Sequence, residues 1–290
     1  MAQTELTGSG ILGAGVVATA PPAALRLDRA RLAFVAATLA AFATAEVITV
    51  FTDPLTGIGL HGATLLALLA ASGIGGRGER PADGPLSRLL YALALVPLIR
   101  IVSLTMPLGR FDEVYWFLAA GLPVFVAGVV IVGTLGIRPG DIGLRLTRRG
   151  APLQPLIASF GLVLGFAEYQ ILRPDALIDD LTLRQFIVPA LVILFATGFL
   201  EEFIFRGILQ RLAEGVLGRS GILYVSLIFA ILHVGYRSAP DFLFVFAIAL
   251  LYAWVVRRTG SIMGVSVSHG ITNITLFLVV PFVPALAHPW

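Results

Sequence analysis

The sequence predicts an all-α integral membrane protein, a polytopic bundle of about eight to nine transmembrane helices. Three observations carry that expectation. The 290-residue chain is 58% hydrophobic and only 13% charged, with a mean hydropathy of +0.94; soluble domains are roughly 45–50% apolar and about 25% charged. Its apolar residues gather into nine segments close to the roughly 20 residues that a helix needs to cross a bilayer. Its basic residues, all of them arginine, fall mainly on one side when those segments are threaded alternately.

Taken in order, residues 1–30 precede the first apolar segment and read as a flexible cytoplasmic tail. A G-x-G-x-x-G match at Gly8, Gly10 and Gly13 follows no strand, so it lacks the context of a dinucleotide site. Glu5, and the absence of any basic residue before Ile11, do not suit a secretory signal. Upstream spans are expected at 32–51, 56–75, 89–106, 114–135 and 153–172, within a region 31–180. The stretches "RGERPADGP" after the second and "GIRPGDIGLRLTRRG" after the fourth mark cytoplasmic loops. Gly161 and Gly165, at GxxxG spacing in the fifth span, are expected to seat a close helix contact. Segments 186–206, 221–235, 242–256 and 262–281 follow, and 31–290 forms a single membrane domain. The seventh and eighth are short, hence the count of eight to nine.

With the N-terminus cytoplasmic, fifteen of the 20 arginines lie inside. The other five are Arg100, Arg110, Arg173, Arg184 and Arg237. This is the positive-inside pattern, and a bacterial cell membrane is the expected location. The loop arginines also account for a pI near 9.7 without a nucleic-acid partner. The absence of cysteine excludes disulfides, thiolate metal sites and a cysteine nucleophile. No internal repeat is visible, which argues against an inverted-repeat transporter.

Ionisable residues inside apolar spans cost on the order of 2.5–3.5 kcal/mol each and mark function by default. The stretch "FLEEFIFRG" carries Glu201, Glu202 and Arg206 out of the uncharged run 186–198. Glu201 and Glu202 are about 100° apart on a helix, so they are expected to face different partners. Arg206, four residues after Glu202, stands at ion-pair spacing, which leaves Glu201 without a local counter-ion. "FAILH" brings Phe229 and His233 onto one face, and "HGITN" does the same for His269 and Asn273, the only asparagine in the chain. Glu201 and His233 are each about sixteen residues from the turn near 216–218. At ~1.5 Å per residue they reach one level, provided the sixth helix continues through "ILQRLAEGVLG". A second set, Glu46, Arg100 and Glu168, shares a level in the outer half and is expected to form a buried structural cluster.

"EEFIFRG", "FAILH" and "HGITN" match E-E-x-x-x-R, F-x-x-x-H and H-x-x-x-N, in that order. In this the chain resembles the CPBP family of intramembrane proteases, named for CAAX proteases and bacteriocin-processing enzymes, which includes the Ras-converting endopeptidase. The resemblance spans about residues 186–281. It implies hydrolysis of a peptide bond in a membrane-associated protein or peptide. Glu201 and His233 would prepare a water, His269 and Asn273 would hold the oxyanion, and Glu202, Arg206 and Phe229 would support them.

The residues suit that chemistry. Amide hydrolysis needs a base and donors where oxyanion charge develops, and desolvation makes a carboxylate a better base. Ser266 and Ser268 have no evident activating partner. Zinc is the alternative cofactor: Glu201, His233 and His269 could form a three-ligand site. Without H-E-x-x-H, and with an asparagine suited to an oxyanion hole, no cofactor is expected. The competing function is a non-catalytic scaffold, such as a bacteriocin-immunity factor or sensor-kinase partner of the same family.

Overall fold

The computed structural model describes residues 29–74, 84–106, 109, 112–146 and 150–283. Apart from Arg29 and Ala30, the expected N-terminal tail lies outside the described residues. All regular structure among the described residues is helical. Nine helices follow in order: α1 Arg29–Phe51, α2 Pro54–Ile74, α3 Pro85–Thr105, α4 Glu113–Thr134, α5 Ala151–Leu172, α6 Leu183–Leu217, α7 Ser220–Ile231, α8 Ala239–Thr259 and α9 Met263–Phe282. Eight are long and apolar enough to cross a membrane; α7, with the turn that carries it to Tyr236, is shorter.

Local chemistry explains the boundaries. Asp53 caps α2, its Oδ2 accepting from the Thr56 amide at 2.8 Å and the Thr56 hydroxyl at 2.6 Å, while Pro54 takes the first helical position. These bonds hold the Asp53 carboxyl below its ordinary value. α3 is interrupted at Ala94, where the ring of Pro97 cannot accommodate a helical carbonyl at Leu93. α8 is longer than the apolar stretch 242–256 suggests. Its 21 residues take in Pro240 and Asp241 at the start and Arg257 and Arg258 at the end. Ser238 accepts from the Asp241 amide at 3.2 Å, and Gly260 closes the helix at φ 69°. With 12 residues, α7 rises only about 18 Å at 1.5 Å per residue.

α6 is the axis of the site. It runs 35 residues, and "ILQRLAEGVLG" does continue it to Leu217. Two stretches, Leu194–Phe199 and Phe203–Gln210, are wound as π-helix on either side of Leu200–Glu202, a distortion frequent at functional sites. Phe195, Phe199 and Phe203 stack at four-residue spacing, centroids 5.8 and 6.0 Å apart. Phe125 of α4 packs against all three.

α9 is clasped between α5 and α6 through glycines. A Cβ at Gly161 or Gly165 would collide with the Ser268 or Thr272 carbonyl oxygen, and one at Gly198 with the backbone of Ser266 and Gly270. The GxxxG pair therefore does seat a close contact, and the partner is the helix that carries His269 and Asn273.

Candidate active site

The ring of His269 is flanked by both adjacent glutamates. Its Nδ1 lies 2.9 Å from Glu202 Oε1 and its Nε2 3.8 Å from Glu201 Oε2. The expectation that Glu201 and Glu202 face different partners is thus corrected. An imidazole offers two nitrogens on different edges, and α6 departs from α-helical winding on both sides of the pair, so one ring meets both carboxylates. The Glu202–Arg206 pair forms as its spacing requires, with Arg206 Nη1 3.0 Å from the same Glu202 Oε1. The guanidinium carbon stands 4.6 Å from the Phe229 ring centroid, and Nη2 donates to the Ala249 carbonyl at 3.4 Å.

Exposure separates the two acids. The Glu202 side chain is 0% exposed and that of Glu201 30%. A carboxylate can only accept, so Glu202 takes the Nδ1 proton and leaves Nε2 as the working nitrogen of His269. Glu201 lines both cavities of the site, and among the described residues its nearest ion-pair contact is the 3.8 Å one to His269.

His233 sits just beyond the last turn of α7. Its Nδ1 is 2.8 Å from the Phe229 carbonyl oxygen. A carbonyl also only accepts, so Nδ1 bears hydrogen and Nε2 is the unengaged nitrogen. The ring stands between Phe229 and Tyr236, at centroid distances of 4.6 and 6.2 Å. Asn273 donates one Nδ2 hydrogen to Thr197 Oγ1 at 2.9 Å, and Thr197 donates onward to the Ile193 carbonyl at 2.7 Å. The second amide hydrogen of Asn273 is left for another acceptor.

Glu201, Glu202, Arg206, Phe229, His233, His269 and Asn273 all line one cavity of ≈ 80 Å³, room for a few waters. A second cavity of ≈ 510 Å³ adjoins it, with largely apolar walls from α3, α4, α6 and α7. The two share Phe117, Glu201, Phe229, His233 and Tyr236. Glu201 and His233 therefore stand between a water-sized polar pocket and a chamber within the roughly 300–1,000 Å³ typical of ligand sites.

The second polar set divides. Arg100 Nε lies 2.6 Å from Glu46 Oε1, as expected of a buried cluster, but Glu168 is not part of it. Glu168 lines the smaller cavity beside Glu201. Three residues after Gly165, it is carried inward by the face of α5 that packs on α9, whereas Glu46 and Arg100 belong to the α1–α2–α3 group. Equal height on three helices does not imply a shared direction. The third member is His61 of α2, its Nε2 3.3 Å from Glu46 Oε1. As a lone ionisable residue in an apolar span, it carried the same signal as the others. Thr197, Tyr236 and Tyr252 also line the smaller cavity, with the Tyr252 hydroxyl donating to Ser268 Oγ at 2.9 Å. Nothing in their local sequence distinguishes them from packing residues. Asp241 is fully buried, and among the described residues neither of its carboxyl oxygens meets a hydrogen-bond donor.

Among the described residues, no group of three or more His, Cys, Asp or Glu is disposed to hold a metal ion. Of the candidate zinc ligands, His269 places Nδ1 on Glu202 and His233 places Nδ1 on a carbonyl, which leaves Nε2 of each ring open, as a metal-binding histidine also has it.

Fold and site together define a polytopic membrane protein with a buried acid, imidazole and carboxamide pocket at its centre. Residues 183–275, from the start of α6 into α9, match the family model Rce1-like, described as type II CAAX prenyl endopeptidase Rce1-like, a protease family. No curated protein matches the chain, and no solved structure does.

Proposed function

We propose that the chain is an intramembrane endopeptidase that cleaves a membrane-associated protein or peptide, with Glu201 and His233 activating the water. The observation that carries this reading is that these two side chains line both the water-sized pocket and the larger apolar chamber. A substrate segment in the chamber and a water in the pocket meet at them. Attack by water forms the C–O bond as Glu201 or His233 takes its proton. The oxyanion is held by the second Asn273 amide hydrogen and by His269 Nε2 in its protonated form. Collapse breaks the C–N bond, and the proton returns to the leaving amine. His269 is placed for this by Glu202, and Asn273 by Thr197. Every role falls to side chains of this chain, and no step is routed through a metal.

The arginine distribution supports a cytoplasmic N-terminus, and the membrane we propose is a bacterial cell membrane. The test is mass spectrometry of membrane peptides from cells bearing the wild-type protein or Glu201→Ala. Truncated products seen only with the wild type are expected; identical peptide sets would reject the endopeptidase reading in favour of a scaffold.

A further inference from the structure

The smaller cavity holds a third carboxyl group, Glu168, beside Glu201 and Glu202. Glu168 is buried on α5, three residues beyond the point where Gly165 packs on the Thr272 carbonyl of α9. At ≈ 80 Å³ the cavity admits only a few waters, and Glu201, His233, His269 and Asn273 line it too. Asp241 of α8, His269 of α9 and Glu201 of α6 all lie near enough to act on the charge of Glu168, and the Tyr236 hydroxyl lies near it as well. Two of these neighbours are acids, and His269 is already engaged by Glu202 at 2.9 Å. Burying a second negative charge beside Glu201 in so small a space is costly. Glu201 keeps 30% of its side chain exposed and has His269 Nε2 at 3.8 Å, a setting for the carboxylate, which leaves the proton of the pair to Glu168.

Peptide hydrolysis needs such a proton at the leaving nitrogen, because an amine departs readily only once protonated. The other donors of the cavity are committed. Arg206 is paired with Glu202 at 3.0 Å, and the Tyr252 hydroxyl donates to Ser268 Oγ at 2.9 Å. In the endopeptidase reading, His269 and Asn273 face the oxyanion, while Glu201 and His233 receive the proton of the water. Glu168 and Tyr236 remain, and a carboxyl is a stronger acid than a phenol by about six powers of ten. Resting on that reading, we propose that Glu168 is a further catalytic residue, the acid that protonates the leaving amine. As the tetrahedral intermediate collapses, the C=O bond re-forms, the C–N bond breaks, and the nitrogen electron pair takes the Glu168 proton. The proton that Glu201 or His233 took from the water then passes through the pocket to the Glu168 carboxylate. One water and one amide are consumed, and one acid and one amine are released.

Two substrates that differ in leaving group test the assignment on the full-length protein in detergent. One is a membrane peptide whose cleavage depends on the wild-type protein. The other is the same acyl sequence ended in an umbelliferyl ester, whose phenolate departs without a proton. In Glu168→Gln the ratio of peptide cleavage to ester hydrolysis should fall about 10²-fold or more, the lower range of general-acid catalysis. Both rates come from one preparation, so a merely structural role for Glu168 would lower them together and leave the ratio in place. Glu168→Asp, which keeps an acid, should restore part of the ratio, and Tyr236→Phe should leave it at the wild-type value. A Glu168→Gln ratio within about 3-fold of the wild type, or a selective loss that follows Tyr236→Phe instead, overturns the proposal. Glu201→Gln separates the two readings, because without its base the protein should lose both activities. A Glu201→Gln protein that still cleaves the peptide sinks the endopeptidase reading, whatever the ratio in Glu168→Gln.

Discussion

Replacing the adjacent glutamates one at a time distinguishes an orienting acid from a reacting one. Glu202 is 0% exposed and its Oε1 meets Arg206 at 3.0 Å and His269 at 2.9 Å. Stranding one partner of a buried ion pair costs about 3–5 kcal/mol. Glu202→Gln retains an amide oxygen for both donors, and Arg206 keeps the face of Phe229 at 4.6 Å, a contact worth up to about 2 kcal/mol when desolvated. The expected loss is therefore at the lower end, about 3 kcal/mol. Glu201 is 30% exposed, and its contact with His269 is 3.8 Å, too long for a hydrogen bond. Glu201→Gln should cost no more than about 1 kcal/mol and abolish turnover, while Glu202→Gln keeps residual turnover. Unfolding in detergent followed by intrinsic fluorescence, paired with cleavage of a membrane peptide, measures both. Equal destabilisation, or a stable but inactive Glu202→Gln beside an active Glu201→Gln, would refute the division.

Asn273→Ala should lower turnover by about 10²–10³, as loss of one oxyanion donor does, with substrate affinity nearly unchanged; a change confined to affinity would remove Asn273 from the oxyanion hole. Thr197→Val removes the acceptor that holds Asn273 at 2.9 Å and should reduce turnover about 10- to 100-fold through misplacement alone, with the melting temperature of the protein little changed. Gly165→Leu drives a side chain into the Thr272 carbonyl; overpacking of this kind costs about 1–3 kcal/mol or more, and here it should depress stability and activity together. Elemental analysis of chelator-washed protein should find less than one zinc per chain with cleavage retained; stoichiometric zinc that tracks activity would reassign His233 and His269 as ligands.

The spans, the hairpins and the convergence of Glu201, His233, His269 and Asn273 were legible because each rests on a one-dimensional quantity. Apolar length sets where a helix can cross, and residue counts from a turn set height. Direction around a helix was legible only between residues on the same helix, as for Glu202 and Arg206. Between helices it depends on which faces pack, and this is why Glu168 leaves the Glu46 cluster for the smaller cavity. The phase argument for Glu201 and Glu202 failed for a related reason. It assumed uniform α-helical winding, and α6 is π-wound on both sides of the pair. Thr197 was invisible because a helical threonine is ordinary until a partner 76 positions away gives it one.

The two buried clusters share a plan that neither sequence set disclosed. In each, one glutamate oxygen holds an arginine and a histidine: Glu202 Oε1 with Arg206 and His269, Glu46 Oε1 with Arg100 and His61. A fully buried carboxylate in hydrocarbon needs compensation from both sides, and two cationic or donor groups supply it. The buried glutamate then acts as a fixed post. In the first cluster the group it presents to a cavity is the imidazole, with Arg206 sealed behind it. In the second the order is reversed: the imidazole of His61 is sealed and the arginine faces the chamber. The first cluster thus brings an imidazole to the wall of the smaller cavity, and the second brings an arginine to the wall of the larger one. A purely structural cluster would gain most by burying all three members, whereas the Arg100 side chain keeps 17% of its surface exposed and lines the larger cavity.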